Sequence, residues 1–157
     1  MFLNEFSSLI DKNTRSELEN SIIKSLYWIG EAHKDKSNSS AFVKLWSALE
    51  CFFTLGEEKI NESNSRGISS IIIFGGFIFD EYQEYNDLKK RVKFLYGLRS
   101  KIVHHAIHTH IDDVLLGEIA LISSWVTIVM MSLVNKGYTD LKQVEFETKR
   151  LDNISKR

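Results

Sequence analysis

Between Glu118 and Lys136 the chain carries no charged residue, the longest such run in the sequence. A helix of that length is either the interior of a globular fold or a membrane span. Ser123, Ser124, Thr127, Ser132 and Asn135 interrupt its apolar character, leaving it short of the ~20 predominantly apolar residues that a span requires. It therefore reads as a buried core helix, started by Asp112 or Asp113 and ending near Asn135 with Gly137 beyond. Everything else in the fold must supply surfaces to cover it. Proline is absent, so no ring geometry forces a break elsewhere, which favours an all-helical chain.

Other helices follow from apolar spacing. Thr14 can cap a helix to about Ala32, with Leu18, Ile22, Ile23, Leu26, Tyr27 and Ile29 on one face and Glu17, Glu19 and Lys24 on the other. After a polar connection over 34–40, Ser39 or Ser40 caps a second helix to about Leu55, stopped by Gly56. Its apolar face is Phe42, Leu45, Trp46, Leu49, Phe52 and Phe53. Residues 57–66 are polar and read as loop. Residues 67–79 are ambiguous: Ile71-Ile72-Ile73-Phe74 has strand propensity and Gly75-Gly76 interrupts a helix, but a lone strand would have no partner, so helix is favoured. A further helix spans Tyr85 to Leu98. Thr139 caps a tail helix over 140–152, and the chain frays from Asn153. The expected architecture is an all-α antiparallel helical bundle in one domain over 1–157, with its core over about 14–135.

Composition narrows the function classes. The 157 residues are 43% hydrophobic and 26% charged, with a formal net charge of −1, so no global positive field points to nucleic acid. A local basic run does exist: Lys89, Lys90, Arg91, Lys93, Arg99 and Lys101. It is either an RNA-binding patch or a solvated helix face. Cys51 is the only cysteine, so no internal disulfide or thiolate metal cluster can form, which fits a reducing cytoplasm. Set among Leu49, Phe52 and Phe53, it reads as a small core residue rather than a nucleophile. The amino terminus lacks the pattern of a secretory signal.

The residues with chemistry cluster around Arg99 and His104. Arginine is a fixed cation, and histidine moves protons near neutral pH. Phosphate cleavage needs both functions. In one continuous helix, five residues place them about 140° apart around the axis. Either the helix breaks near Arg99–Ser100, or the site is assembled across a symmetric dimer. Glu50, on a face bearing Trp46 and Leu49, is expected to need a cation, and Arg99 is the candidate. His104 and His108 share a helix face at a spacing that can hold zinc, with Asp112 or Asp113 as a third ligand, so a zinc hydrolase is a weaker alternative. Without a His-Glu-x-x-His pattern no metal is expected, and no phosphate-binding loop or serine-hydrolase motif is present.

Arg99-x4-His104, preceded by Leu95-Tyr96-x-Leu98, resembles the R-x(4–6)-H signature of HEPN domains. Arg99-Ser100-Lys101-Ile102-Val103-His104-His105 is similar to the Arg-Ser-Lys-Ile-Val-His motif of the Apea-like HEPN group. Leu45-Trp46-Ser47-Ala48-Leu49-Glu50, followed by an aromatic pair, looks like that group's first strong helix. The resemblance covers roughly Ser39 to Leu133. It implies a helical bundle that dimerises through the motif helices and cleaves RNA without metal or cofactor, in toxin–antitoxin or antiviral systems. Carried over, Arg99 and His104 are catalytic, with Ser100, Glu50, His105 and Tyr96 in support and Lys101, Lys93 and Arg91 touching RNA. The implied partners are RNA, a second copy of the chain, and an antitoxin or other regulatory protein; a membrane is not among them. Ser100 departs from the Asn or Asp of many active members, and residues 67–79 match no part of the pattern. Some members are non-catalytic, so the alternative is a dimeric RNA- or protein-binding module.

Overall fold

The computed structural model describes residues 2–53, 59–75, 82–105 and 111–156. Among them the chain forms seven α-helices and no strand: α1 (Phe2–Asp11), α2 (Glu17–His33), α3 (Asn38–Phe53), α4 (Ile60–Phe74), α5 (Tyr82–His105), α6 (Asp113–Asn135) and α7 (Leu141–Ile154). Buried side chains from these helices make one contiguous apolar core, with Trp46, Phe42, Phe52, Ile68, Leu95 and Ile119 almost fully enclosed.

The uncharged run is indeed the core helix. Asp112 caps α6 by accepting the Leu115 amide at 2.8 Å, and Gly137, at φ 92°, turns the chain beyond its end. The polar residues that interrupt the run are satisfied inside. Thr127 Oγ1 donates to the Ser123 carbonyl at 2.8 Å and lies 2.9 Å from Ser25 Oγ of α2, while Ser123 Oγ donates to Ala120. Contrary to the expectation, α6 is long and apolar enough to cross a bilayer, with mean hydropathy 2.0 over its most apolar window; 44% of that window is buried within the protein.

Several boundaries differ from the expectation. Ser16, not Thr14, caps α2: its hydroxyl accepts the Glu19 amide, and Glu19 Oε2 accepts the Ser16 amide at 2.7 Å. That capping box, with Lys12 at 2.7 Å, explains why Glu19 is buried, whereas Tyr27 is exposed. The α3 helix starts at Asn38, two or three residues earlier than a cap at Ser39 or Ser40 would set; Leu55 and Gly56 lie outside the described residues. Asp140, not Thr139, caps α7 in a second capping box with Gln143, while the Thr139 carbonyl accepts the Leu18 amide at 3.0 Å. The tail helix continues through Asn153 and Ile154, where fraying was expected. An amino-terminal helix, α1, was not anticipated.

The largest departure is α4, which occupies much of the expected polar loop over 57–66. Its eight residues from Ser63 to Ser70 are all buried. Small side chains explain this. Ser63 Oγ donates to the Phe53 carbonyl at 2.5 Å, Ser65 Oγ bonds back to the Glu62 carbonyl, and Gly67 lets Phe53 press against its backbone. A Cβ at Gly67 would meet Phe53 Cδ1 at 2.2 Å. Gly75, in the left-handed conformation at φ 45°, ends the helix. Residues 76–79 lie outside the described residues.

Four of the six cations in the basic run on α5 tie it to other helices, while Lys90 pairs with Asp87 of α5 itself. Lys89 pairs with Asp152 of α7 at 2.5 Å, Arg91 with Glu118 of α6 at 2.6 Å, Lys93 with Glu62 of α4 at 2.6 Å, and Arg99 with Glu50 of α3 at 3.1 Å. Burial pushes the Asp152 carboxyl up, but hydrogen bonds from Lys156, Lys89 and Tyr85 outweigh it and hold the group down at about 2.

Gly67→Ala should lose about 1–3 kcal/mol in urea denaturation because Phe53 must move. Gly30→Ala, where a Cβ meets nothing within 4 Å, should be neutral or stabilising. A depressed carboxyl contributes stability above its unfolded value, lost as pH falls through the folded one. The stability gap between wild type and Asp152→Asn should therefore narrow between about pH 4 and pH 2, as read by denaturation at each pH.

Candidate functional site

Two helical pairs face each other across the α3–α5 junction. Trp46 and Glu50 stand one turn apart on α3, and Tyr96 and Arg99 one turn apart on α5. Below, the Trp46 and Tyr96 rings pack with centroids 5.7 Å apart. Above, Arg99 Nη2 donates to Glu50 Oε2 at 3.1 Å, and the Arg99 guanidinium lies 6.0 Å from the Tyr96 ring centre. Both charged side chains retain 18% exposure, so the pair sits at the rim of the core. Arg99 Nε is buried and finds no hydrogen-bond partner among the described residues. A guanidinium held this way has a fixed orientation, and the exposed part of the side chain can meet an acceptor, such as a phosphate oxygen, at the rim.

The α5 helix runs through Arg99 and Ser100 without interruption, which removes the expected possibility of a break there. Arg99 and His104 are therefore about 140° apart in azimuth and about 7.5 Å apart along the axis. His104 is exposed, on the same face as half-buried Ser100 one turn earlier. Within one copy, Arg99 points to Glu50 and the two side chains do not converge. His105 is helical in backbone, but its side chain lies outside the described residues.

The three residues expected to touch RNA are not equivalent. Lys101 is exposed, and no carboxylate among the described residues pairs with it. Arg91 is engaged by both Glu118 oxygens, at 2.8 and 2.6 Å, and lies 4.9 Å from the Phe94 ring centre. Lys93 is engaged by Glu62. Those carboxylates cancel much of the local field that the basic run would otherwise offer.

For the zinc alternative, His108 and His110 lie outside the described residues. Among the described residues no three His, Cys, Asp or Glu side chains form a metal-sized group. Asp112 is occupied as the α6 cap, and Asp113 accepts from Asn38 Nδ2 at 3.0 Å.

Sequence reasoning missed a groove of about 690 Å³ between α2 and α3. Lys24 and Trp28 of α2, one turn apart, face Ser47, Glu50 and Cys51 of α3 across it. Cys51 is thus not enclosed in the core as expected. It is half-buried on the groove wall, where Sγ donates to the Ser47 carbonyl at 3.3 Å and burial pushes the thiol up. The Lys24–Trp28 spacing was the available signal, masked by the apolar periodicity of Ile22, Ile23, Leu26 and Ile29 around them.

No family profile, curated protein or solved structure matches the chain.

Glu50→Ala should destabilise the fold by about 1–3 kcal/mol, because it strands a partly buried guanidinium. In a denaturant double-mutant cycle with Arg99→Ala, the two losses should sum to more than the double variant's.

Proposed function

We propose that the protein is a metal-independent endoribonuclease of HEPN type, a helical bundle that works as a homodimer in the cytoplasm within a toxin–antitoxin or antiviral system. The observation that carries the reading is the Arg99 guanidinium, oriented by Glu50 and Tyr96 and partly exposed, on the same helix as an exposed histidine. The resemblance of residues 95–105 to the HEPN signature supplies the substrate class.

In this reading the RNA 2′-hydroxyl oxygen attacks the adjacent phosphorus. His104 takes the hydroxyl proton, the bond from phosphorus to the 5′-oxygen breaks, and the imidazolium returns the proton to that oxygen. The products are a 2′,3′-cyclic phosphate and a free 5′-hydroxyl. Arg99 neutralises the charge that accumulates on the phosphate oxygens. Ser100, on the His104 face, is an added donor to the phosphate. The wide angle between Arg99 and His104 favours a site with Arg99 from one copy and His104 from the other. Exposed Phe94 and Val103 on α5 and Leu121 and Trp125 on α6 offer apolar area for a second copy to cover.

The ion pairing of Arg91 and Lys93 favours a second reading, a dimeric module that binds RNA or a regulatory protein without cutting.

Cleavage of single-stranded RNA in EDTA separates the two. Wild type should leave cyclic phosphate ends, while Arg99→Ala and His104→Ala should each lose about 100-fold or more in rate. DNA should be inert, since it lacks the nucleophile. Equal cleavage by wild type and either variant would overturn the assignment, and binding without cleavage would favour the module.

A further inference from the structure

We infer that the groove between α2 and α3 is a nucleobase subsite, which seats one base of single-stranded RNA on Trp28 with its phosphate on Lys24, leading the strand to Arg99. The inference rests on the ribonuclease reading for its substrate and on the groove for its location.

Continuity comes first. Glu50 lines the groove and also holds Arg99, so one side chain forms the boundary between the two. A strand lying in the groove therefore meets, at Glu50, the acid that holds the guanidinium. Size fits as well: about 690 Å³ is within the range of small-ligand sites.

Charge comes second. Two acids line the groove: Glu50 is paired with a cation, and Glu17 keeps its negative charge. Glu17 Oε2 accepts the Leu141 amide at 3.0 Å, and Glu50 accepts from Arg99 at 3.1 Å. Lys24 is exposed, and no carboxylate among the described residues pairs with it. The groove therefore offers Lys24 as its one cation among the described residues, two helical turns from Glu17, suited to a single phosphate rather than a continuous polyanion.

The aromatic wall is the third element. Trp28 is half-buried and lines the groove, and Tyr27 packs edge-on against it at 5.4 Å between centroids and 70° between planes. A ring held by its neighbour presents a stacking surface at little entropic cost, and stacking is tolerant of base identity. Ser47 Oγ donates to the Val43 carbonyl at 3.1 Å and keeps its lone pairs for a base-edge donor. Asn20 adds an amide at the rim.

Cys51, the only cysteine of the chain, reports occupancy without any substitution. The probe is a hexaribonucleotide of mixed sequence, 2′-O-methylated throughout so that it cannot be cut by its own 2′-oxygen. At saturating probe, Cys51 alkylation by iodoacetamide at mildly alkaline pH should slow several-fold. Trp28→Ala should weaken binding of the probe about 10-fold or more, and Trp28→Phe should retain most of it. Probe binding that leaves alkylation unchanged, with Trp28→Ala binding as wild type, would overturn the subsite. If wild type then still cleaves RNA, the ribonuclease reading survives alone. Slowed alkylation and a Trp28-dependent affinity without cleavage of unmodified RNA would uphold the subsite and sink the ribonuclease. Failure of wild type to bind the probe at all would overturn the subsite.

Discussion

Helix α5 is fastened by charge to four other helices, and that constraint fixes the geometry of everything near its motif. Lys89, Arg91, Lys93 and Arg99 each reach a carboxylate on a different element: α7, α6, α4 and α3. Such pairs add little stability individually when exposed, and buried ones lose most of their attraction to desolvation. Stability comes from the shared apolar core, where Tyr85, Val92 and Leu95 anchor α5. The ties set its rotation and register instead. A one-residue slip of α5 would turn it by about 100° and break all four at once.

Within that frame Arg99 is the least ordinary member. The other ties to α5 face lysines or an arginine that both acid oxygens grip, but Arg99 gives one nitrogen to Glu50, and its buried Nε–H finds no partner among the described residues. Orientation without saturation is what an anion-binding arginine requires. The same helix carries His104 on a different face, open to solvent. Rigid α5 thus separates the two groups of the proposed chemistry, and the proposed dimer reunites them.

The fold was legible where periodicity and burial agreed. The α6 helix could be bounded almost to the residue, because charge vanishes between Glu118 and Lys136 and Asp112 marks the start. The Glu50–Arg99 pair was also legible, since a carboxylate on a Trp46 and Leu49 face calls for a cation. The α4 helix was not. Asn61-Glu62-Ser63-Asn64-Ser65-Arg66 looks like loop by composition, and only the tertiary approach of α3, α5 and α7 turns its small side chains into packing surface. Capping misled by a residue or two, because Thr14, Ser16, Thr139 and Asp140 all qualify by type and the choice depends on Glu19 and Gln143 reaching back. The α2–α3 groove needed two helices side by side, which no single-helix pattern reveals.

The central claim is that Arg99 and His104 act on one phosphate from two copies of the chain. The direct test is complementation: equal amounts of Arg99→Ala and His104→Ala protein, unfolded together, refolded and assayed on single-stranded RNA. Random pairing of two inactive variants leaves one intact site in each mixed dimer, so activity should recover to about a quarter of wild type. Folded, dimeric mixtures that remain inactive would contradict a site shared between copies.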